Sequence, residues 1–100
     1  MFTGIVESTG KVTRIEKEGS NHHIRMKADF VDELKIDQSI AHNGVCLTVV
    51  DIKDDKYTVT AVDETLQKSN LGDLQIDDQI NLERSVTMNQ FLDGHLVQGH

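Results

Sequence analysis

Apolar and polar residues alternate along much of the chain with a period of two. In NHHIRMKA (residues 21–28), the apolar Ile24 and Met26 alternate with the charged Arg25 and Lys27. Successive side chains of a β-strand point to opposite faces of the sheet, so this alternation predicts a half-buried strand. Further strands are predicted over IVESTGKVTRI (5–15), VCLTVVDI (45–52), KYTVTAV (56–62) and QINLERSV (79–86), with a sixth inside SIAHNGVCLTVV (39–50).

The predicted strands are separated by residues that favour turns. Asn43-Gly44 supplies the positive φ angles of a tight turn between two strands. Lys53-Asp54-Asp55 predicts a hairpin between the two strands that flank it, because Asp tolerates turn conformations. Gly10 lies inside the first predicted strand, where an isolated glycine indicates a bulge or a bend.

Two short segments are predicted to be helical. DFVDELK (29–35) starts at Asp29, which is a candidate N-cap. DETLQKS (63–69) has Asp63 as its candidate N-cap and Glu64 in the first turn, where the helix dipole favours negative charge.

One sequence pattern occurs twice, forty residues apart. LKIDQSI (34–40) and LQIDDQI (74–80) share L-x-I-D-x-x-I, and each follows a predicted helix and leads into a strand. Two similar loops leading into strands explain this match better than a true repeat, which needs more matching positions. Six short strands with two helical excursions predict an all-β fold, a closed six-stranded antiparallel barrel with one or two short helices.

Composition limits the classes of partner. The chain has 100 residues, enough for one domain, and a net charge of −7 with no basic stripe, which argues against nucleic acid. No apolar run approaches the ~20 residues that span a bilayer, and no secretory signal is visible, so no membrane partner is expected. The single cysteine, Cys46, excludes an internal disulfide and favours a reducing, cytoplasmic location.

The strand around Cys46 carries the most distinctive side chains. The alternation in VCLTVV (45–50) directs Leu47 to the core, and it directs Cys46 and Thr48 to the other face, where a pocket could lie. From this pattern alone, an inert cysteine and a strand-forming threonine are favoured over a ligand site.

The histidines do not form a metal-binding pattern. His22 and His23 are predicted to lie at a turn and face solvent, and no C-x-x-C or H-E-x-x-H motif is present. His95 and His100 are candidate acid/base groups because imidazole titrates near neutral pH. No Gly-rich nucleotide-binding motif is found, so no cofactor and no metal are expected.

Six short motifs together resemble one family. MFTGIVE, AHNGVCLTV, ETL, SNLGDL, NLER and GHLVQGH occur in the order and at the spacing of the amino-terminal half of riboflavin synthase. The resemblance implies a six-stranded Greek-key barrel, one of two that the family carries in tandem. It further implies that residues 1–97 form the barrel and that residues 98–100 begin a linker to a second barrel.

The resemblance also implies an activity and partners. The family converts two molecules of 6,7-dimethyl-8-ribityllumazine into riboflavin and a pyrimidinedione, without a metal or redox cofactor. Each barrel binds one lumazine, and the reaction centre forms between barrels of different subunits in a homotrimer. A single barrel is therefore expected to bind lumazine and riboflavin, to be weakly active or inactive, and to form a homodimer through its exposed apolar face.

Matching motifs carry the family's site onto this chain. The implied catalytic residues are Phe2, Ser39, Cys46 and His100. The implied ligand-binding residues are Gly4, Ile5, Val6, Cys46, Leu47, Thr48, Thr60, Ala61, Val62, Asp63, Glu64, Thr65, Gly99 and His100. Thr60 to Asp63 rest on position more than on identity.

Structural roles remain open for several of these residues. Phe2 could belong to the core, Ser39 could be a turn hydroxyl, and Glu64 could be a helix-start charge. For Cys46, strand alternation and motif agree, which favours function. An alternative is a non-catalytic lumazine- or flavin-binding antenna protein of the same fold, but such proteins depart from the synthase pattern around the cysteine and the Gly-His pairs, which this chain keeps.

Overall fold

The computed structural model describes residues 4–85, which form a closed barrel of antiparallel strands. The strands are β1 (Ser8–Glu18), β2 (Asn21–Lys27), β3 (Ser39–His42), β4 (Val45–Lys53), β5 (Lys56–Ala61) and β6 (Gln79–Arg84). Around the barrel their order is β1-β2-β5-β4-β3-β6. The predicted six-stranded antiparallel barrel is therefore confirmed. The division into 1–97 and 98–100 stays a prediction because residues 86–100 lie outside the described residues.

Alternation along the strands fills the barrel with apolar side chains. On β4, for example, Leu47 and Val49 are buried inside, whereas Cys46, Thr48 and Val50 are exposed outside. The period-two pattern predicted these two faces correctly because the face of each side chain follows directly from its position along a strand.

One of the two predicted helices forms as an α-helix. Within residues 4–85 this is α1 (Asp63–Lys68), and its N-cap position is Val62 rather than Asp63. The predicted helix over 29–35 is wrong: only a single 3-10 turn forms, at Val31–Glu33, without a side-chain cap from Asp29. Phe30, Val31 and Leu34 are buried in the core, so tertiary packing determines this segment more than helix propensity does.

The turns agree with the sequence, but the β-bulge does not lie at Gly10. Asn43 and Gly44 have φ angles of 49° and 85°, as a tight turn with two left-handed residues requires. The bulge of β1 lies between Val12 and Arg14, not at Gly10. A side chain at Gly10 would place its Cβ only 2.7 Å from Leu82 Cδ1, so this glycine permits close approach between strands.

The repeated L-x-I-D pattern marks two loops with the same backbone. Asp37 and Asp77 have φ angles of 75° and 78°. The Asp37 amide donates to the Val49 carbonyl at 2.9 Å, and the Asp77 amide donates to the Val12 carbonyl at 2.8 Å. If β1, β2 and β3 trade places with β4, β5 and β6, respectively, the same pairs of strands remain neighbours around the barrel. The two halves of the barrel are thus related by an approximate twofold, which extends beyond the short sequence match.

No helix within residues 4–85 has the length and apolar character needed to cross a lipid bilayer.

One polar pair lies inside the barrel, between His42 and Tyr57. The His42 Nε2 atom is 2.9 Å from the Tyr57 hydroxyl, and both side chains are almost fully buried. Burial lowers the pKa of His42 to about 4, and burial also raises the pKa of Tyr57. The backbone of Ile40 and Val45 partly opposes the shift of His42, but neither forms a well-directed hydrogen bond to Nδ1. The core therefore holds His42 in its neutral form.

Candidate functional site

Residues from separate segments meet on the outer face of β3 and β4. The antiparallel register pairs Ser39 with Thr48 and Ala41 with Cys46. Ile40 and Leu47 occupy the alternate positions and point into the core, so Ser39, Cys46 and Thr48 share the outer face. The structure thus brings together three residues that the motifs had assigned to one site.

Strand β5 extends this face with a third hydroxyl, that of Thr60. The register between β4 and β5 pairs Val49 with Val59, and continuing it by one residue sets Thr48 beside Thr60. On the far side of β5, Thr60 pairs with His23 of β2, and its Oγ1 atom lies 2.9 Å from His23 Nδ1. One row of polar side chains therefore crosses four neighbouring strands. We call it the outer polar row, and it consists of Ser39, Thr48, Thr60 and His23.

A cavity adjoins the cysteine end of this face. On β3 and β6 the register pairs Ala41 with Glu83, which continues the line from Cys46 through Ala41. Glu83 is largely buried, and its Oε1 accepts a 3.0 Å hydrogen bond from the Gly4 amide. The cavity measures about 310 Å³, and its lining includes Gly4, Val6, Ala41, Asn43, Asn81 and Glu83. The lining combines apolar side chains, amide side chains and one carboxylate, which suits a small ligand with a few polar groups.

The amino-terminal segment that lines the cavity is anchored to β6. The Arg84 guanidinium contacts the Glu7 carboxylate through Nη2–Oε2 at 2.5 Å and Nε–Oε1 at 3.0 Å. This hydrogen-bonded pair lowers the pKa of Glu7 and raises that of Arg84. Arg84 also stacks on Phe30, 4.6 Å from its ring centroid. Two-point contact with a carboxylate fixes geometry as well as charge, so residues 4–7 are held in place against the barrel.

The helical part of the predicted site is polar and exposed. Asp63 and Glu64 lie in the first turn of α1, where they pair with Gln67 at 3.0 Å and with Lys68 at 2.7 Å. The carbonyl of Thr65 accepts a hydrogen bond from Ser69. Glu64 thus occupies the helix-start position that the sequence left open as its structural role.

Other predicted contact residues separate into exposed and buried groups. Ile5, Val6 and Val62 are exposed by 72%, 52% and 48%, which is unusual for large apolar side chains. The side chains of Leu47 and Ala61 lie in the core, so their side chains are not part of the outer face. Phe2, His95, Gly99 and His100 lie outside the described residues.

Sequence reasoning missed the role of His23. It lies within β2, not at a turn, and its Nε2 atom is 2.9 Å from Glu18 Oε1 while Nδ1 faces Thr60. The alternation of β2 was a usable signal, because it places His23 on the same outward face as Arg25. His42 was missed as well, since no pattern identifies a buried histidine before the barrel is built. Within residues 4–85, no cluster of three metal-ligating side chains is present.

Comparisons with known proteins identify similar chains. The family model described as "Lumazine binding domain" matches residues 3–85. Riboflavin synthase from Actinobacillus pleuropneumoniae is 39% identical over 101 residues, and that from Mycobacterium bovis is 44% identical over 102 residues. Each alignment covers 100% of this chain but only 47% and 51% of the relative. The chain therefore spans about half the length of the curated relatives it matches.

Solved structures show the same fold. LumP complexed with 6,7-dimethyl-8-(1'-D-ribityl) lumazine matches 85% of this chain and 49% of its own, with a TM-score of 0.79 and 25% sequence identity. LumP complexed with riboflavin matches 84% of this chain and 46% of its own, with a TM-score of 0.78 and 26% identity. The resemblance to riboflavin synthase that the motifs predicted is confirmed, and the chain belongs to the lumazine-binding domain family.

Proposed function

We propose that the chain binds 6,7-dimethyl-8-ribityllumazine and riboflavin on the outer face of β3, β4 and β5. The observation that carries this proposal is the meeting of Ser39, Cys46, Thr48 and Thr60 on one face, beside the cavity that the amino-terminal segment lines. Three strands supply these groups, and the amino-terminal segment supplies part of the cavity lining. Similar structures of LumP contain the same two ligands, which supports the choice of ligand class.

The face offers the contacts that a ribityl-substituted ring needs. Exposed Val6 and Val62 provide apolar surface for the ring. Hydroxyls of Thr48 and Thr60, with the acidic start of α1, suit the hydroxyls of the ribityl chain. In this assignment Leu47 and Ala61 contribute backbone contacts only.

The proposed reaction is the dismutation of two lumazines to riboflavin and a pyrimidinedione, with this barrel as one half of riboflavin synthase. Two lumazine rings must lie face to face, and a site that holds them there removes most of the entropic cost of a bimolecular step. Cys46 and Ser39 are the proposed reacting-centre groups among the described residues, with Phe2 and His100 assigned by motif alone. One barrel holds one lumazine, so the chain alone is expected to show little turnover.

Self-association follows from the same exposed surface. Ile5, Val6 and Val62 leave apolar area uncovered around the proposed site, and a second copy of the chain is its simplest cover. We propose a homodimer for this half and a homotrimer for the longer protein. Sedimentation equilibrium tests the dimer, and a monomer at high protein concentration would contradict it.

The free, exposed Cys46 suits a reducing cytoplasm.

Fluorescence titration with 6,7-dimethyl-8-ribityllumazine tests the proposed binding. Saturable binding at one ligand per barrel is expected, and Thr48→Val is expected to weaken it about threefold to tenfold by removing one hydrogen bond. Thr13→Val serves as the control, since Thr13 lies on β1 and its hydroxyl bonds Arg25 O at 3.2 Å. Absence of binding by the wild-type chain would sink the proposal.

A second candidate is a non-catalytic carrier of lumazine or flavin. The similarity to LumP in complex with both ligands favours it as a real alternative. The two candidates separate when the second barrel of riboflavin synthase is fused to the chain. Restored riboflavin formation supports the enzyme, and tight binding without turnover in the fusion supports the carrier.

A further inference from the structure

A hydrogen-bonded chain of three side chains runs along the outer face of the barrel into the proposed site. Glu18 Oε1 lies 2.9 Å from His23 Nε2, and His23 Nδ1 lies 2.9 Å from Thr60 Oγ1. Glu18 is exposed near the end of β1, His23 is 30% exposed on β2, and Thr60 is half-buried on β5. The order carboxylate, imidazole, hydroxyl leads from solvent towards Thr48.

With Glu18 ionised and the His23 ring neutral, the proton inventory of these groups sets the direction of each hydrogen bond. An ionised carboxylate has no proton to donate, so His23 Nε2 must carry the hydrogen that Glu18 accepts. A neutral imidazole has one N–H only, which leaves a lone pair on Nδ1. The Thr60 hydroxyl must therefore donate its single proton to Nδ1. Its oxygen then has only lone pairs left for any other partner.

We infer that Glu18 and His23 are positioning residues that make Thr60 a hydrogen-bond acceptor towards the bound ligand, so the site selects a ligand N–H or O–H at that point. This inference rests on the proposed function and adds to it. The resemblance implies that Thr60 lies near the ligand, whereas the two distances and the proton inventory give the direction of its hydrogen bond and the two residues that set it. Lumazine and riboflavin each carry one imide N–H and several ribityl hydroxyls that can serve as the donor.

The acidic residue opposite His23 is engaged by another side chain. Across the strand pair, His23 faces Glu16, whose carboxylate is engaged by Arg14 at 2.6 Å. Glu16 therefore offers a matched control for Glu18. Both acidic residues lie on β1 near His23, but Glu16 forms no hydrogen bond to the histidine. Glu18→Gln removes the obligatory acceptor, because an amide can either donate or accept.

The first arm of the test needs no ligand. Long-range ¹⁵N–¹H spectra of the histidine rings at about pH 8, above the range in which an unperturbed imidazole titrates, report which nitrogen is protonated. The Nε2–H tautomer is expected for His23, with its signals assigned by their loss in His23→Gln. Glu18→Gln should shift the tautomer population, and Glu16→Gln should not. A ring protonated at Nδ1 in the wild-type chain would overturn the inference.

The second arm compares three ligands. Thr60→Val should weaken riboflavin binding about threefold to tenfold, and Thr60→Ser should retain the affinity. The loss in Thr60→Val should vanish with 3-methylriboflavin if the donor is the imide N–H, or with lumiflavin if it is a ribityl hydroxyl. Glu18→Gln should weaken riboflavin binding in the wild-type background and have no effect in Thr60→Val.

The outcomes distinguish this inference from the proposed function. A wild-type chain that binds neither lumazine nor riboflavin would overturn both. A wild-type chain that binds riboflavin as tightly as its Thr60→Val variant would overturn the inference alone. An equal loss of affinity in Thr60→Val for all three ligands would also overturn the inference alone, since neither the imide N–H nor a ribityl hydroxyl would then donate to Thr60.

Discussion

The buried histidine in the barrel makes a quantitative prediction about stability and pH. His42 is fully enclosed, its Nε2 bonds the Tyr57 hydroxyl, and its Nδ1 has no hydrogen-bond partner. Desolvation is the largest cause of the low pKa of this imidazole, about 4 against an ordinary 6.5. Protonation would place a charge inside an apolar barrel, so the folded state binds this proton far more weakly than the unfolded chain does.

The sign of the effect follows from proton linkage. Between pH 6.5 and pH 4 the unfolded chain is protonated at His42 while the folded chain is not, so stability falls as pH decreases through this window. Each factor of ten in proton affinity corresponds to about 1.4 kcal/mol, which gives a limit of about 3 kcal/mol below pH 4. At about pH 5 the expected loss from this one group is about 2 kcal/mol. Above pH 7 the contribution is constant.

Urea unfolding of wild-type and His42→Gln chains measures this loss. Glutamine keeps a polar atom near the position of Nε2 but does not titrate, so the free energy of unfolding of the variant depends less steeply on pH. Between about pH 7.5 and pH 5, the wild-type free energy of unfolding should fall by about 2 kcal/mol more than that of the variant. Other acid-sensitive groups, such as Glu7, contribute equally to both chains.

His22→Gln is the matched control, because it removes a histidine of β2 that the barrel does not fully enclose. This variant should keep the wild-type pH dependence. Parallel stability curves for wild-type and His42→Gln between about pH 7.5 and pH 5 would refute the reasoning. If His42→Gln fails to fold, NMR titration of the wild-type imidazole decides instead, since a midpoint near 6.5 for His42 contradicts its burial as a neutral ring.

Three further predictions concern the site and its support. Cys46→Ser should change the free energy of unfolding by no more than about 0.5 kcal/mol, since the thiol is exposed, yet weaken lumazine binding; destabilisation without a change in affinity would count against its place in the site. Gly10→Ala should destabilise the barrel by about 1–3 kcal/mol in urea unfolding because its methyl group meets Leu82, and an unchanged midpoint would contradict this. Arg84→Lys removes the two-point contact with Glu7, and because this ion pair is partly exposed the free energy of unfolding should fall by only about 0.5–1 kcal/mol. The same variant should bind lumazine more weakly. Unchanged affinity would show that the pair does not hold the amino-terminal segment.

Strand positions were predictable because apolar and polar residues alternate along a half-buried strand. Ile24 and Met26 fixed the inward face of β2, and Asn43-Gly44 fixed the turn before β4. The 3-10 turn at Val31–Glu33 was mistaken for a helix, since its local sequence favours helix and only packing at the barrel's interior shows otherwise.

The candidate site was predictable in part. Motifs assigned Cys46 and Thr48, and alternation put them on one face, but no local signal pairs Thr60 with His23, which lies 37 residues away in the chain. That contact depends on β2 and β5 being neighbours in the closed barrel. The buried state of His42 has the same origin, because its burial is a property of the whole barrel and not of the strand that carries it.

Chemical-shift mapping tests the central claim most directly. The backbone amides of the ¹⁵N-labelled chain are followed while 6,7-dimethyl-8-ribityllumazine is added. The account predicts saturable shifts clustered at Ser39, Cys46, Thr48 and Thr60 and along the amino-terminal segment that lines the cavity. Shifts confined to other faces of the barrel, or no shifts at saturating lumazine, would contradict it.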